Sequence, residues 1–279
     1  ASPEVVLEAP WGEGGLARET VAAQTGPMAI AVDSAERLLV LDTVAGRLHR
    51  YDGQGERESF ELGVETGDAL AVRPDGSFAV LAYERLPAPH HLVLTYGAEG
   101  SLLDRRPAPQ AATLPTGLLA DGEQLLVEQR HRRLLPTDGS PHRWGRPTGE
   151  LLLRVRLTEE RALVVAARTR GGQLAWETLV AAPWPVTEVL ALEACDAFVA
   201  VVVRRVEPAP EEGEPSTQQT LLVALDRAGE PFARLEVRDS RVTDAGRPFA
   251  LGPSGDVYEL VTAEGGARVL RYRYLGGER

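Results

Sequence analysis

The chain reads as all-β, and three observations carry that reading. Apolar runs of about 4–7 residues, rich in Val, Leu and Ile, alternate with breaks bearing Gly, Asp and Ser, the strand-and-turn signature. The pattern recurs at roughly 35–50 residues, the range in which repetition means a solenoid, propeller or array. Apolar spacing at i, i+3 and i+4, which a helical repeat requires, does not occur. Four short strands per repeat select a six-bladed β-propeller of four-stranded blades.

The repeats follow in order. The first reads MAIAV, DSAER, LLVLD, TVAG, RLHRY, DGQG, ERESFEL, three breaks between four runs. The second reads DALAV, RPDG, SFAVLAY, then after a longer break HLVLTY, GAEG, SLLDRR. TGLLA, DGE, QLLVEQ, RH, RRLLPT form a third, and LLLRVRL, TEE, RALVVAAR, TRGG, QLAWETLV a less regular fourth. In the fifth, TEVLAL, EACD and AFVAVVVRR precede a long insertion, with TQQTLLVAL, DRAGE and PFARLEV after it. RPFAL, GPSG, DVYELV, TAEGGA, RVLRYRY make a sixth with only three runs, while PEVVLEA at the N-terminus is spare. Placing that spare strand on the outside of blade six leaves no open edge. The expected limits are one domain over residues 1–279, with the closing strand at 1–10 and blades near 26–62, 67–106, 116–146, 150–184, 187–238 and 247–275.

Composition bounds the function. A net charge of −11 argues against general nucleic-acid binding, which needs a basic footprint. No window approaches the roughly 20 apolar residues of a membrane-spanning helix. The single cysteine, Cys195, excludes an internal disulfide framework and reads as a small, partly buried residue rather than a nucleophile. The start ASPEVV, without methionine, fits a mature chain freed of a signal peptide, and fits a shortened gene product equally well. No Asn occurs and the cations are arginine, a bacterial, high-GC style. An exported protein, periplasmic or lipid-anchored at the cell envelope, is therefore expected over a cytoplasmic one, as a monomer in isolation.

The stretch WGEGGLARETVAAQTGPMAIAVDSAERLLVLDTVAGRLHRYDGQGE resembles an NHL repeat and the linker before it. The matching elements are Trp11-Gly12, Gly26-Pro27 before an Ile-Ala-Val-Asp strand, LLVLD, and Arg47 five residues beyond Asp42. The resemblance is good here, partial in blades two and six, and poor in the middle of the chain. It implies a six-bladed propeller; NHL-type propellers serve as protein-binding, RNA-binding, carbohydrate-associated and enzymatic modules, so function must come from a site.

With strands labelled A to D in each blade, B–C and D–A connections lie at one end and A–B and C–D turns at the other. Long insertions fall only at B–C: YERLPAPHH in blade two and RRVEPAPEEGEPSTQQ in blade five, both Pro-rich and opposed across a six-membered ring. Such loops bind partners on a rigid scaffold, or are tolerated insertions. The candidate partner-binding residues are Arg85, His90 and His91; Arg130, His131, Arg132 and Arg133; Arg168 and Arg170, read as a neighbouring turn; and the acidic Glu207, Glu211, Glu212 and Glu214. A basic patch beside an acidic loop suits a protein partner or an anionic ligand, or is an ordinary solvated surface. The preferred reading is a non-catalytic scaffold without a cofactor.

The catalytic alternative is a hydrolase similar to lactonase-type propellers, which hold calcium or another divalent metal at the channel mouth. Asp68, Glu150 and Glu188, each read as opening an A strand, are its candidate ligands, with Thr116 and Arg247 near the rim. Adjacent His90 and His91 would point to opposite faces of a strand, which disfavours joint zinc ligation, whereas in a loop both could serve. Trp144, Trp176 and Trp184 read as packing residues first and sugar-stacking or anchoring residues second.

Overall fold

In the computed structural model, the described residues are 3–19, 25–53, 55, 57–64, 66–85, 88–109, 115–129, 131, 133–158, 162–180, 185–195, 197–207, 217–237, 243 and 245–273. They form six antiparallel sheets of four strands each, the six blades of a β-propeller, and contain no helix. In particular, no helix is long and apolar enough to cross a membrane.

Blade one is β2 (Pro27–Val32), β3 (Leu38–Asp42), β4 (Arg47–Tyr51) and β5 (Arg57–Glu61), preceded by β1 (Glu4–Pro10). Blade two is β6 (Thr66–Val72), β7 (Phe78–Glu84), β8 (His90–Tyr96) and β9 (Leu102–Pro107). Blade three comprises β10 (Gly117–Asp121), β11 (Gln124–Gln129), β12 (Arg133–Pro136) and the two-residue β13 (Arg143–Trp144). Blade four is β14 (Arg146–Thr148), β15 (Leu151–Leu157), β16 (Leu163–Thr169) and β17 (Leu174–Val180). Blade five is β18 (Val186–Ala194), β19 (Val199–Glu207), β20 (Thr217–Leu225) and β21 (Pro231–Val237). Blade six has β22 (Phe249–Leu251), β23 (Val257–Ala263) and β24 (Gly266–Tyr272), with β1 as its fourth strand.

The chain divides into two compact units: residues 1–143 with 240–273, and residues 144–239 with 274–279. In the first, the A strands of blades six, one, two and three adjoin in that order. Its second strands are buried over most of their length, and LLVLD of β3 throughout, because apolar side chains on both faces meet a neighbouring blade. Leu39, Leu41 and Leu48 of blade one pack with Phe78, Val80 and Tyr96 of blade two. The outer strands alternate or turn polar, as in RESFE of β5, where one side faces water. In the second unit, Leu153, Val155 and Val165 of blade four share a core with Leu192, Val201 and Val223 of blade five.

The NHL-like segment of blade one is held by polar groups at buried positions. Asp42 accepts hydrogen bonds from the amides of Ala17 and Ala45, tying the preceding linker to the B–C turn. His49, buried on the third strand, lies 2.8 Å from the Ser59 hydroxyl and 3.5 Å from Asp42. Arg47 pairs with Glu61 across the outer strand.

Blade four departs from the expected limits. Its A strand is β14, so the sheet starts at Arg146, and LLLRVRL is the second strand rather than the first. The short Arg-Pro-Thr segment between Gly145 (φ 103°) and Gly149 (φ 55°) reads as a turn, yet it pairs fully with β15. It is anchored by charge: buried Arg146 donates to the Leu192 carbonyl and, at 2.6 Å, to Glu193 of blade five.

Blade six is completed as expected. β1 runs antiparallel to β24, from Glu4 opposite Arg271 to Pro10 opposite Gly266, with one register shift between Val5 and Leu7. A Cβ at Gly266 would stand 2.3 Å from the Ala9 carbonyl oxygen, so the strands close only over glycine. Glu4 pairs with Arg271 (2.7 Å) and Arg273 (3.0 Å), and Glu8 with Arg268 (2.6 Å). Truncating residues 1–10 should therefore expose the apolar edge of β24 and cause aggregation or a large fall in melting temperature. An unchanged melt would mean that β1 is dispensable.

The closing pairs are also acid-sensitive. Hydrogen bonds from Arg271 and Arg273 hold the Glu4 carboxyl below its ordinary value of 4.5. A depressed folded-state value contributes stability above the unfolded value, and that contribution disappears as pH falls through the folded one. The difference in melting temperature between wild type and Glu4→Gln should be constant at neutral pH and shrink as pH falls below the ordinary carboxyl value of 4.5.

Candidate functional site

The two ends of the blades differ in how their polar groups are used. At the A–B and C–D end, turns satisfy themselves. Asp33 accepts from the amides of Ala35 and Arg37 and from the Arg37 guanidinium at 2.7 Å. Asp75 binds the Ser77 hydroxyl and amide, and those bonds lower its carboxyl from the ordinary value. Asp138 is held down at about 2 by Ser140, chiefly its hydroxyl, and by Gln124. Glu36 of blade one, at φ 59°, accepts from the Ser254 amide and the Tyr258 hydroxyl of blade six. Carboxylates so engaged serve the fold.

At the B–C and D–A end of the first unit, polar side chains converge at the start of A strands and the end of B strands. Glu128, last but one in β11, is fully buried. Its Oε2 lies 3.0 Å from His131 Nδ1 and 3.5 Å from the Thr116 hydroxyl, while the His131 amide donates to Thr116 Oγ1 at 3.4 Å. His131 occupies the left-handed region (φ 51°), where glycine would be unstrained. A non-glycine residue kept there points to a role for its side chain.

Arg247 comes to the same place from blade six. Its amide donates to the Met28 carbonyl, its carbonyl accepts from Ile30, and its guanidinium donates to the Leu118 carbonyl of blade three at 2.8 Å. A Cβ on Gly117 would lie 2.8 Å from Arg247 Nη1 and 3.2 Å from Glu128 Oε2. A side chain at 117 would crowd both the guanidinium and the carboxylate that lie over that strand.

Blade two adds two imidazole–carboxylate pairs. His91 lies 3.4 Å from Asp68, with its ring 5.1 Å from that of Tyr83. His90, which strand alternation sends to the other face, lies 3.7 Å from Glu84, and Glu84 also holds Arg105 at 2.6 Å. Arg85, at the start of the B–C connection, is exposed.

The other predicted residues fall as follows. Arg133 opens β12 at the B–C turn and Glu207 ends β19. Arg130, Arg132, Glu211, Glu212 and Glu214 lie outside the described residues. Arg168 and Arg170 require correction. Arg168 lies near the end of the C strand and Arg170 in the C–D turn of blade four, where it donates to the Gly149 carbonyl of the A–B turn, so they sit at the opposite end of their blade from its B–C connection. The displaced reading of LLLRVRL as the first strand caused the error.

Glu150 is likewise in the A–B turn of blade four and does not open an A strand. Glu188 pairs with Arg204 at 2.6 Å. Among the described residues, no three His, Cys, Asp or Glu side chains group closely enough to hold a metal ion. Cys195 is half-buried, its amide bonded to the Phe198 carbonyl. Trp176 packs against the blade-four core while Trp144 is 49% exposed. Glu128 escaped the sequence reading, although an acid inside QLLVEQ at a core-strand position is a detectable break in the apolar pattern.

No family model matches the chain, and no curated protein matches it. Solved structures resemble it in fold. A protein of the DUF4221 family from Bacteroides vulgatus is 8% identical, with 97% of each chain covered and a TM-score of 0.54. A luciferin-regenerating enzyme is 11% identical, covering 90% of this chain and 92% of its own, with a TM-score of 0.52. BamB from Moraxella catarrhalis is 13% identical over the full length of both chains, with a TM-score of 0.45. Likeness at these identities concerns the fold alone.

Two substitutions separate the roles in blade three. Glu128→Gln removes the charge from a buried carboxylate and should cost about 1–3 kcal/mol in denaturant unfolding. His131→Gly relieves the left-handed strain and should leave stability within about 1 kcal/mol of wild type. A large loss on His131→Gly would make the imidazole a structural prop.

Proposed function

We propose that the chain is a non-catalytic, NHL-like propeller that binds another protein through the B–C and D–A end of its blades. The observation that carries this reading is the contrast between the two ends. Turn carboxylates at one end are consumed by their own hydrogen bonds, whereas Arg85, His90, His91 and His131 stand at the other. His131 in particular is held by Thr116 and Glu128 in a left-handed conformation, two residues before Arg133 in sequence. Paired but partly accessible charges of this type recognise complementary polar surfaces and speed encounter. The arginine-only, asparagine-free composition supports a high-GC bacterial source, and we infer an exported, envelope-facing protein without a cofactor.

Affinity capture with the purified chain tests the reading. Replacing residues 207–216 by a Gly-Ser turn should leave the fold intact, since loop-closure entropy changes by only about 0.6 kcal/mol per doubling of length. Capture of the partner should weaken. Reversing charge at Arg130, Arg132 and Arg133 should slow association, more at low salt than at high. Asp75→Ala and Ser254→Ala, at the opposite end, should leave association unchanged; if they are the damaging changes, the face is wrong. Calcium, manganese or zinc should shift the melt little, whereas a chelator-reversible rise of several degrees, lost in Asp68→Ala, would favour a metal-dependent hydrolase.

A further inference from the structure

The buried imidazole of blade one is only half accounted for by the fold. Val40, His49 and Ser59 form one row across β3, β4 and β5, and Asp42 lies two residues beyond Val40 on the same face. His49 Nδ1 meets the Ser59 hydroxyl at 2.8 Å, and Nε2 faces Asp42 at 3.5 Å. The ring and the carboxylate are each 1% exposed, whereas Ser59 stands on the exposed outer strand. Nε2 makes no hydrogen bond among the described residues, and Asp42 already accepts from the Ala17 and Ala45 amides. A buried polar atom left in that state calls for a use.

Hydroxyl, imidazole and carboxylate in that order are the arrangement that activates a serine. With the ring proton on Nε2, toward the carboxylate, Nδ1 is the acceptor for the hydroxyl proton. Asp42 then lies on the side where it stabilises the imidazolium that forms. Arg57 stands two residues before Ser59 on the same face, its guanidinium held by the Gly14 and Gly15 carbonyls. A fixed cation on that face favours negative charge developing on a carbonyl oxygen.

We propose that Ser59 is an acylation site, which takes one acyl group from an activated ester and keeps it. The hydroxyl oxygen attacks the ester carbonyl as its proton passes to His49 Nδ1. The Oγ–acyl bond forms, the bond to the leaving oxygen breaks, and that oxygen carries the proton away from the imidazole. Release of the acyl group would need a water at Nδ1. The ring is buried and the esterified oxygen still covers Nδ1, so the step occurs once per chain. The chain is thus a reactant and not a turnover catalyst, on a different blade from His90, His91 and His131.

The test is incubation of the full chain with p-nitrophenyl acetate, followed by p-nitrophenol release and by intact and peptide mass. The chain has no lysine, so amine acylation is confined to the N-terminus. A single acetyl group per chain is expected, on Ser59, with release stopping at one equivalent. Ser59→Ala should abolish it, and His49→Gln should slow it by about a hundredfold. Glu58→Gln, on the other face of β5, and Arg133→Glu, at the proposed docking end, should label like wild type, so the two proposals stand or fall separately. If a melt finds His49→Gln unfolded, the wild-type rate still reports on the ring among Asp42, Tyr51 and Ser59. It should fall as acidification protonates the imidazole and level off at higher pH, where hydroxide attack would go on rising. No labelling, labelling of Cys195 or the N-terminus alone, or equal labelling of the urea-unfolded chain would each overturn the proposal. So would a rate indifferent to His49→Gln or to acidification, or release that continues past one equivalent.

Discussion

Burial of the middle strands of most blades on both faces governs most of what the chain does. A strand such as LLVLD or FAVLA has no polar side to turn to water, so its sheet must be covered twice. Every other choice follows from that demand. Outer strands are polar because they end the coverage, and turns are short because the strands they join are fixed. Glycine at 266 is required where backbones approach too closely for a Cβ, and glycine at 117 leaves room for two buried charged side chains. Charges inside this scaffold survive only by meeting one another or a carbonyl, as Glu128, His131 and Arg247 do.

The ends of the blades then acquire different characters without any change in strand chemistry. Asp33, Asp75 and Asp138 close the turns at one end by accepting their own backbone and side-chain donors. At the B–C end Asp42 and Thr158 close their own turns in the same way, but the connections vary in length and other side chains meet partners across strands. Thr116 and Glu128 achieve this for His131, and Asp68 does so for His91. Specific recognition is easier to build on groups already fixed in place than on free ones.

The fold was legible because its signal is a period, repeated in apolar runs and turn residues, and both survive weak local similarity. Blade four was misread because β14 is too short to carry a period and is held by the Arg146 ion pair instead. That one shift sent Arg168 and Arg170 to the wrong end and placed Glu150 at a strand start. The partners of His90 and His91 were not readable, since Glu84 and Asp68 reach them through strand register and not through spacing. Arg247 was seen near the rim, but its bond to Leu118 joins residues 129 apart in sequence and leaves no trace in local pattern.

The β1–β24 pairing has a consequence for biosynthesis. Glu4 is synthesised well before its partner Arg271, which lies 267 residues further along the chain. At about 5–20 residues per second, the N-terminal strand waits many seconds with its edge unsatisfied, while the intervening strands are being made. Its Glu4 and Glu8 among apolar residues, with Val5 and Val6 still exposed after pairing, are a compromise for that interval. The strand is sticky enough to join its sheet at the end and charged enough to remain single until then.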